Sequence, residues 1–253
     1  MIIIKSEREI GLMREAGKVV ALVFKELEPL CKPGISTQEL ADKAEEIIVS
    51  HGCTPTFKGY GGFPGAICIS INDTLIHGIP SKKIILKEGD IVSLDVGATY
   101  KGYCGDACRT FLVGAVLEKT RKLVEVTKQS FFEGLKFVKP GAHLGDVSSA
   151  IQKYVEAHGY SVPRDYTGHG VGAHLHEDPS IPNYGLEGTG PILKEGMCLA
   201  IEPMVGEGKH QTRTLGDGWT VKMRDGKMSA HYENTIAVTK DGYEILTMYE
   251  GEK

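Results

Sequence analysis

Residues 85–95 read ILKEGDIVSLD, and residues 192–202 read ILKEGMCLAIE. Ile85 to Gly89 and Ile192 to Gly196 are identical, and each copy then runs through apolar residues into a carboxylate, Asp95 or Glu202. At the same offset of 107, Lys32-Pro33-Gly34 falls on Lys139-Pro140-Gly141 and His51-Gly52 on His158-Gly159. Gly61, Gly65, Ala66 and Gly78 fall on Gly168, Gly172, Ala173 and Gly185. From 32–95 against 139–202, 14 of 64 positions are identical without a gap, where random pairing gives roughly four. One repeat of this length predicts two related half-domains, approximately 1–113 and 114–253, around an approximate two-fold axis within a single domain over 1–253.

Local patterns agree with a duplication. Ser6 to Glu9 reads as a capping box ahead of a helical spacing of Ile10, Met13, Gly17, Val20, Phe24, Leu27 and Leu30, stopped by Pro33-Gly34. Ser36 to Glu39 is a second capping box, opening a helix that ends near Gly52. The second half repeats the order, with helices predicted over about 118–138 and 144–157. Strand-like runs follow each helix pair: 66–70, 91–97, 198–205 and 233–239. Helices in pairs and then strands predict an α+β fold rather than alternating parallel βαβ units.

The chain has 253 residues, 41% hydrophobic and 25% charged, which suits a substantial core. A net charge of −4 with no basic block argues against nucleic acid as the ligand. No apolar run approaches the roughly 18 residues of a membrane span, and the start lacks a signal-peptide pattern. A cytoplasmic protein is the expectation. The six cysteines form no Cys-x-x-Cys pair, and a chain this long needs no disulfide staples; Cys104 and Cys108, which flank Asp106, are expected to be reduced and partly buried.

Alternation along a strand puts Ile91, Ser93 and Asp95 on one face and Val92, Leu94 and Val96 on the other. A carboxylate buried in such a run needs a cation, donors or a proton. Glu202 stands at the equivalent place, and an approximate two-fold brings the two acids together. Without a cation, one of them would have to protonate. Asp106, eleven residues after Asp95, is far enough along for a hairpin to return it to the same place. Glu233 enters another β-branched run, and GHGVGAHLHE at 168–177 supplies His169 and His176 among glycines. Carboxylates with imidazole suit Mn²⁺, Fe²⁺, Co²⁺ or Zn²⁺ better than a thiolate site would. His51, His143, His158, His174, His210 and His231 read as structural or solvated.

The motifs SINDTLIHGIP (70–80), DVGATYKGYCGD (95–106), YTGHGVGAHLHEDPSIPNY (166–184), AIEPM (200–204) and SAHYENTIAV (229–238) resemble those of type I methionine aminopeptidases over nearly the whole chain. The resemblance implies a pita-bread fold, with two pseudo-symmetric α+β halves enclosing two divalent metal ions. It makes Asp95, Asp106, His169, Glu202 and Glu233 the metal ligands, with Asp106 and Glu233 bridging. Glu202 would also shuttle a proton, while His77 and His176 would contact the scissile amide and the oxyanion. The methionine pocket would be formed by Phe57, Tyr60, Phe63, Cys68, Leu175 and Trp219, with His77 and His176 at its mouth. Leu175 departs from the Phe common before the second histidine, and Phe57 and Phe63 stand where other members have Cys and Tyr. Asn72, Thr74 and Ser229 match a region that holds a monovalent cation in some members. The implied activity is removal of the initiator methionine from nascent polypeptides whose second residue is small, by a monomer in transient contact with ribosomes.

Three other readings compete. Aminopeptidase P and prolidase share the GHG motif and an Arg-Thr pair such as Arg109-Thr110, but they usually carry an extra N-terminal domain. A type II enzyme would have an insertion in the second half, yet only 33 residues separate His169 from Glu202. A catalytically dead binding module would have lost ligands, and all five are present here.

Overall fold

Both serine capping boxes form. The Ser6 amide donates to Glu9 at 2.7 Å and the Ser36 amide to Glu39 at 2.9 Å, and the Glu9 and Glu39 amides donate back to the serine hydroxyls. They open helices α1 (Glu7–Leu27) and α2 (Thr37–Ser50). Pro29 cannot donate to the α ladder, so the stripe expected to reach Leu30 ends as a 3₁₀ turn over Glu28–Leu30. Helices α3 (Glu118–Leu135) and α4 (Leu144–Ala157) complete the second pair. The chain after α3 tightens into i→i+3 turns through Phe137 and Val138, so α3 stops short of the expected 138. The structure is a computed structural model that describes residues 1–249 and 251–252.

The strands of the first half are β1 (Thr54–Pro55), β2 (Cys68–Ile71), β3 (Thr74–Ile76), β4 (Ile91–Tyr100) and β5 (Tyr103–Leu112). Those of the second half are β6 (Gly168–Gly170), β7 (Glu177–Ile181), β8 (Cys198–Ile201), β9 (Met204–Gly206), β10 (Thr212–Thr214), β11 (Val221–Met223), β12 (Ser229–His231), β13 (Glu233–Thr239) and β14 (Gly242–Ile245). The expected run 198–205 is split because Pro203 has no N–H to give to a ladder. The main sheet is antiparallel in the order β1-β4-β5-β13-β8-β6-β7, with β2 beside β4 and β14 beside β13.

The duplication is visible bond by bond. Gly34 donates to Leu86 and Gly141 to Leu193, both at 2.9 Å. Leu86 donates to Ile35 at 2.9 Å and Leu193 to Ala142 at 2.8 Å. Bridges Ser36–Ile85 and His143–Ile192 complete the match. The repeated Ile-Leu therefore clips the chain to the start of its half's second helix. Lys-Glu-Gly then turns it, with Gly89 and Gly196 at φ 87° and 82°, a region that favours glycine. Each turn leads directly into the strand that carries the acid.

Val92, Leu94 and Val96 pack with α1 and α2 in one core, and Leu199 and Ile201 pack with α3 and α4 in another. The two cores flank a shared sheet whose centre is the β5–β13 seam. Close packing governs the helix that meets this seam. A Cβ on Gly17 would lie 2.0 Å from the Leu246 carbonyl oxygen, and one on Gly105 would lie 2.8 Å from the Gly17 nitrogen. Gly11, in the same helix, has only the end of Arg14 nearby, at 3.9 Å.

These two glycines give opposite expectations for alanine. Gly17→Ala is overpacked and destabilises by about 1–3 kcal/mol, whereas Gly11→Ala stabilises by roughly 0.5–1 kcal/mol. Urea unfolding of both variants checks this; a Gly17→Ala variant as stable as the parent would contradict the packing at Gly17, and a destabilised Gly11→Ala the open space at Gly11.

Candidate metal centre and substrate cavity

Register places the acids. The β4–β5 hairpin turns at Lys101-Gly102, both with positive φ, and returns Asp106 opposite Gly97, with Asp95 opposite Cys108. Cys108 pairs in turn with Glu233 on β13, and Asp95 with Cys68 on β2. Directly paired residues share a face, so one row runs Cys68–Asp95–Cys108–Glu233. The adjacent row runs Gly97–Asp106, passes Thr235, and continues through Ala200 to His169. Glu202 follows Ala200 by two residues and faces the same way. The second-half acid thus meets the first-half acids across the seam, as the repeat predicted.

The distances are short. His169 Nε2 lies 3.6 Å from Asp106 and 3.6 Å from Glu202. Donor atoms of Asp106, His169 and Glu233 lie within 4.8 Å of one another, as do those of Glu202, His231 and Glu233. Asp95 stands outside both close groups but on the same face, with its Oδ1 buried and unpartnered.

His231 is a correction. Expected to be structural or solvated, it is buried against the acids, with Nε2 3.5 Å from Glu202 and 3.9 Å from Glu233. Its place two residues before Glu233 was the only signal for it, and a lone histidine there reads equally well as structural. Among the other histidines, His51 and His158 do serve structure: each Nδ1 meets a carbonyl four residues back in its own helix, at 2.8 and 2.7 Å. All six cysteines are free and buried, Cys104 and Cys108 more fully than expected.

Buried side chains hold the backbone of the acids. Thr235 accepts from the Asp106 amide at 3.0 Å and donates to its carbonyl at 2.8 Å. Asn183 donates to the Glu202 carbonyl at 2.8 Å, and Arg109 donates to the Glu233 carbonyl at 2.5 Å. No local pattern in the sequence pointed to these supports. His169 is seated by its flanking glycines: a Cβ on Gly168 would lie 2.4 Å from the Ala200 carbonyl oxygen, and one on Gly170 2.1 Å from that of Asp178. The His169 Nδ1 meets the Gly170 carbonyl at 2.9 Å. A carbonyl only accepts, so Nδ1 carries the proton and Nε2 keeps a lone pair for a cation held among the acids.

Burial first, and then their mutual repulsion, push Asp95, Asp106, Glu202 and Glu233 well above the ordinary carboxylate range. Burial holds His77 and His169 down at about 4 and His231 at about 3, so the imidazoles do not neutralise the acids. Arg109, behind Glu233, is committed to Glu252 and to backbone carbonyls. Asp95 Oδ1, Asp106 Oδ1, Glu233 Oε1 and both His231 nitrogens are buried without partners. Unpaired oxygens and imidazole nitrogens on one face fit divalent cations, which supply the missing charge and satisfy the lone pairs.

The same face opens into a cavity of about 300 Å³. Its acidic floor is Asp95, Asp106, His169, Glu202 and Glu233, and every residue expected for the apolar pocket lines it: Phe57, Tyr60, Phe63, Cys68, Leu175 and Trp219. Phe57, Phe63, Cys68 and Leu175 form a buried cluster with Ile79 and Trp219 against it. Gly97 makes room, since a Cβ there would lie 2.6 Å from the Phe57 ring. His77 and His176 also line it. His77 holds φ 58°, a strained conformation for a non-glycine residue. Ile76, Asp165, Tyr166 and Thr167 complete the lining and were not foreseen. Asn72 and Ser229 also meet, the Ser229 amide donating to the Asn72 carbonyl at 2.8 Å.

A curled antiparallel sheet bearing buried carboxylates and an imidazole able to ligate, beside an apolar cavity, is the site of a metal-dependent hydrolase, and comparison with known proteins agrees. The model of metallopeptidase family M24 matches residues 11–240, and the chain belongs to that family. A methionine aminopeptidase of Clostridium acetobutylicum is 53% identical over 250 residues, covering 99% of this chain and 100% of the relative. The crystal structure of a methionine aminopeptidase from Thermotoga maritima superposes with a TM-score of 0.97 at 48% identity, over 98% of this chain and all of the other. A prolidase from Pyrococcus furiosus shares the fold at a TM-score of 0.80 and 27% identity, but this chain covers only 66% of it. The pita-bread α+β expectation holds, and the relatives are aminopeptidases of the kind the motifs resemble.

Proton competition tests the metal fit. A raised carboxyl pKa means the folded protein keeps protons that the unfolded chain releases above about 3.8 for Asp and 4.5 for Glu. The site's contribution without metal is therefore greatest below those values and is lost as pH rises. Cations displace those protons, so the rise in Tm on adding saturating Mn²⁺ should be larger at pH 8 than at pH 5. A calorimetric series in which the rise shrinks with pH would contradict the assignment.

Proposed function

We propose that this chain removes the N-terminal methionine of nascent polypeptides whose second residue is small, acting in the cytoplasm as a monomer in transient contact with ribosomes. The observation that carries the reading is the single cavity joining an apolar cluster to the acidic face. Two divalent ions, of Co, Mn, Fe or Zn, would be held by Asp95, Asp106, His169, Glu202 and Glu233, with Asp106 and Glu233 shared. When bound, such ions supply Lewis acidity that makes water a nucleophile at neutral pH and polarises the scissile carbonyl.

The protein's own groups do the rest. Glu202, whose backbone is held by Asn183, takes the proton of the attacking water and returns it to the leaving amine. His176 donates to the oxygen that becomes negative, and His77 contacts the scissile amide. The pocket of Phe57, Phe63, Cys68, Leu175 and Trp219 selects an unbranched thioether side chain, with each misplaced methylene costing roughly 1–3 kcal/mol. The second side chain passes the crowded wall at His77, Tyr166 and Trp219, whose rings meet edge-on. A bulky residue there displaces the carbonyl from attack, and such a misplacement costs about 10²-fold.

The test is hydrolysis of a matched Met-Xaa-Ser series. Met-Ala-Ser should be cleaved at least ~10²-fold faster than Met-Leu-Ser or Met-Lys-Ser. Equal rates would overturn the steric account, and preference for Xaa-Pro peptides whatever the first residue would place the activity with prolidases.

The shared ligands give a second expectation. Asp106→Asn and Glu233→Gln each remove a carboxylate proposed to touch both ions, so titration calorimetry should show fewer than two bound Mn²⁺ and activity should nearly vanish. Either variant binding two ions with retained turnover would reject the bridging role.

A further inference from the structure

The His169 and His176 rings lie edge-on with centroids 4.4 Å apart, yet their Nδ1 atoms meet opposite kinds of partner. His169 Nδ1 faces a backbone carbonyl, which can only accept. His176 Nδ1 faces the Tyr60 hydroxyl at 2.7 Å, which can also donate. A phenol is a good donor, and an imine nitrogen is a better acceptor than a phenol oxygen. With Nδ1 accepting from the phenol, the ring proton sits on Nε2. His176 lines the same cavity as the acids.

We infer that Tyr60 is a positioning residue that donates its hydroxyl proton to His176 Nδ1 and so fixes the Nε2–H tautomer of His176, the opposite of the tautomer imposed on His169. The inference rests on the proposed function in one respect: it explains how His176 comes to be a donor toward the substrate. The two neighbouring imidazoles are thereby divided in role, one presenting a lone pair to a cation and the other presenting a proton to an oxyanion.

The surroundings hold Tyr60 to this task. Its ring meets the His176 ring edge-on at 5.2 Å. Its amide donates to Phe57 at 3.0 Å and its carbonyl accepts from Phe63 at 2.9 Å. The turn closes with Gly59 donating to Phe63 at 2.8 Å, and a Cβ on Gly61 would lie 3.2 Å from Trp219. The loop that carries Tyr60 is therefore the same one that packs the apolar wall. On the far side, the segment bearing His176 is tied down by the buried Lys5–Glu177 pair at 2.6 Å, and Glu177 also accepts from the His174 amide at 3.1 Å.

The test uses full-length protein labelled with ¹⁵N-histidine, both metal-free and zinc-loaded, with His176 assigned through a His176→Gln variant. Long-range ¹H–¹⁵N correlation should show His176 protonated on Nε2 and imine-like at Nδ1. Tyr60→Phe keeps the ring but removes the donor, so the tautomers should mix or invert. On Met-Ala-Ser, kcat should fall roughly 10-fold with KM and zinc content unchanged, less than the ~10²–10³-fold expected when an oxyanion donor is deleted outright. Wild-type His176 protonated on Nδ1 would overturn the inference, as would a Tyr60→Phe variant with unaltered tautomer and turnover. If the wild type cleaves no Met-Ala-Ser while the tautomer shifts as stated, the aminopeptidase reading fails and the Tyr60 assignment stands.

Discussion

Four carboxylates, three from strands and one from just past the end of β8, share one face of the central sheet, and among the described residues no free cation neutralises them. Burial and mutual repulsion make the set costly, so the protein must bind protons or metal ions there. Much of the architecture serves to keep the set together. Thr235, Asn183 and Arg109 each hold the backbone of one acid. Removing such a support would free an acid to turn toward solvent and relieve the repulsion that makes the site bind cations.

The duplicated halves explain how acids so far apart in the chain come to face each other. Each half writes the same clip and the same glycine turn, then launches a strand that brings an acid to the shared face, Asp95 within β4 and Glu202 just past β8. Antiparallel pairing at the β5–β13 seam joins the two launches into one sheet. The symmetry is broken where function needs it. The first half contributes the glycine-rich loop of Tyr60 and Phe63 and the strained His77, and the second contributes His169 between glycines, then Leu175 and His176.

Period and repetition made part of the site legible in the sequence. Asp95 and Glu202 were visible because the same phrase led to both, and Asp106 because a hairpin length separated it from Asp95. His231 was not, because a single histidine two residues before Glu233 carries no pattern that separates it from a structural one. Thr235, Asn183 and Arg109 were silent because their roles depend on backbone atoms 19 to 129 residues away. The Tyr60–His176 hydrogen bond joins residues 116 apart and leaves no local pattern either. Strand ends were misplaced where one residue vetoed a ladder, as Pro203 did in the run after Cys198.

Anomalous diffraction from crystals grown with Mn²⁺ tests most directly the proposal that this acidic face holds cations in pairs. The account predicts two peaks per chain, one contacting Asp95 and the other His169 and Glu202, with Asp106 and Glu233 contacting both. Peaks elsewhere, or a face that stays metal-free while its carboxylates pair through shared protons, would contradict it.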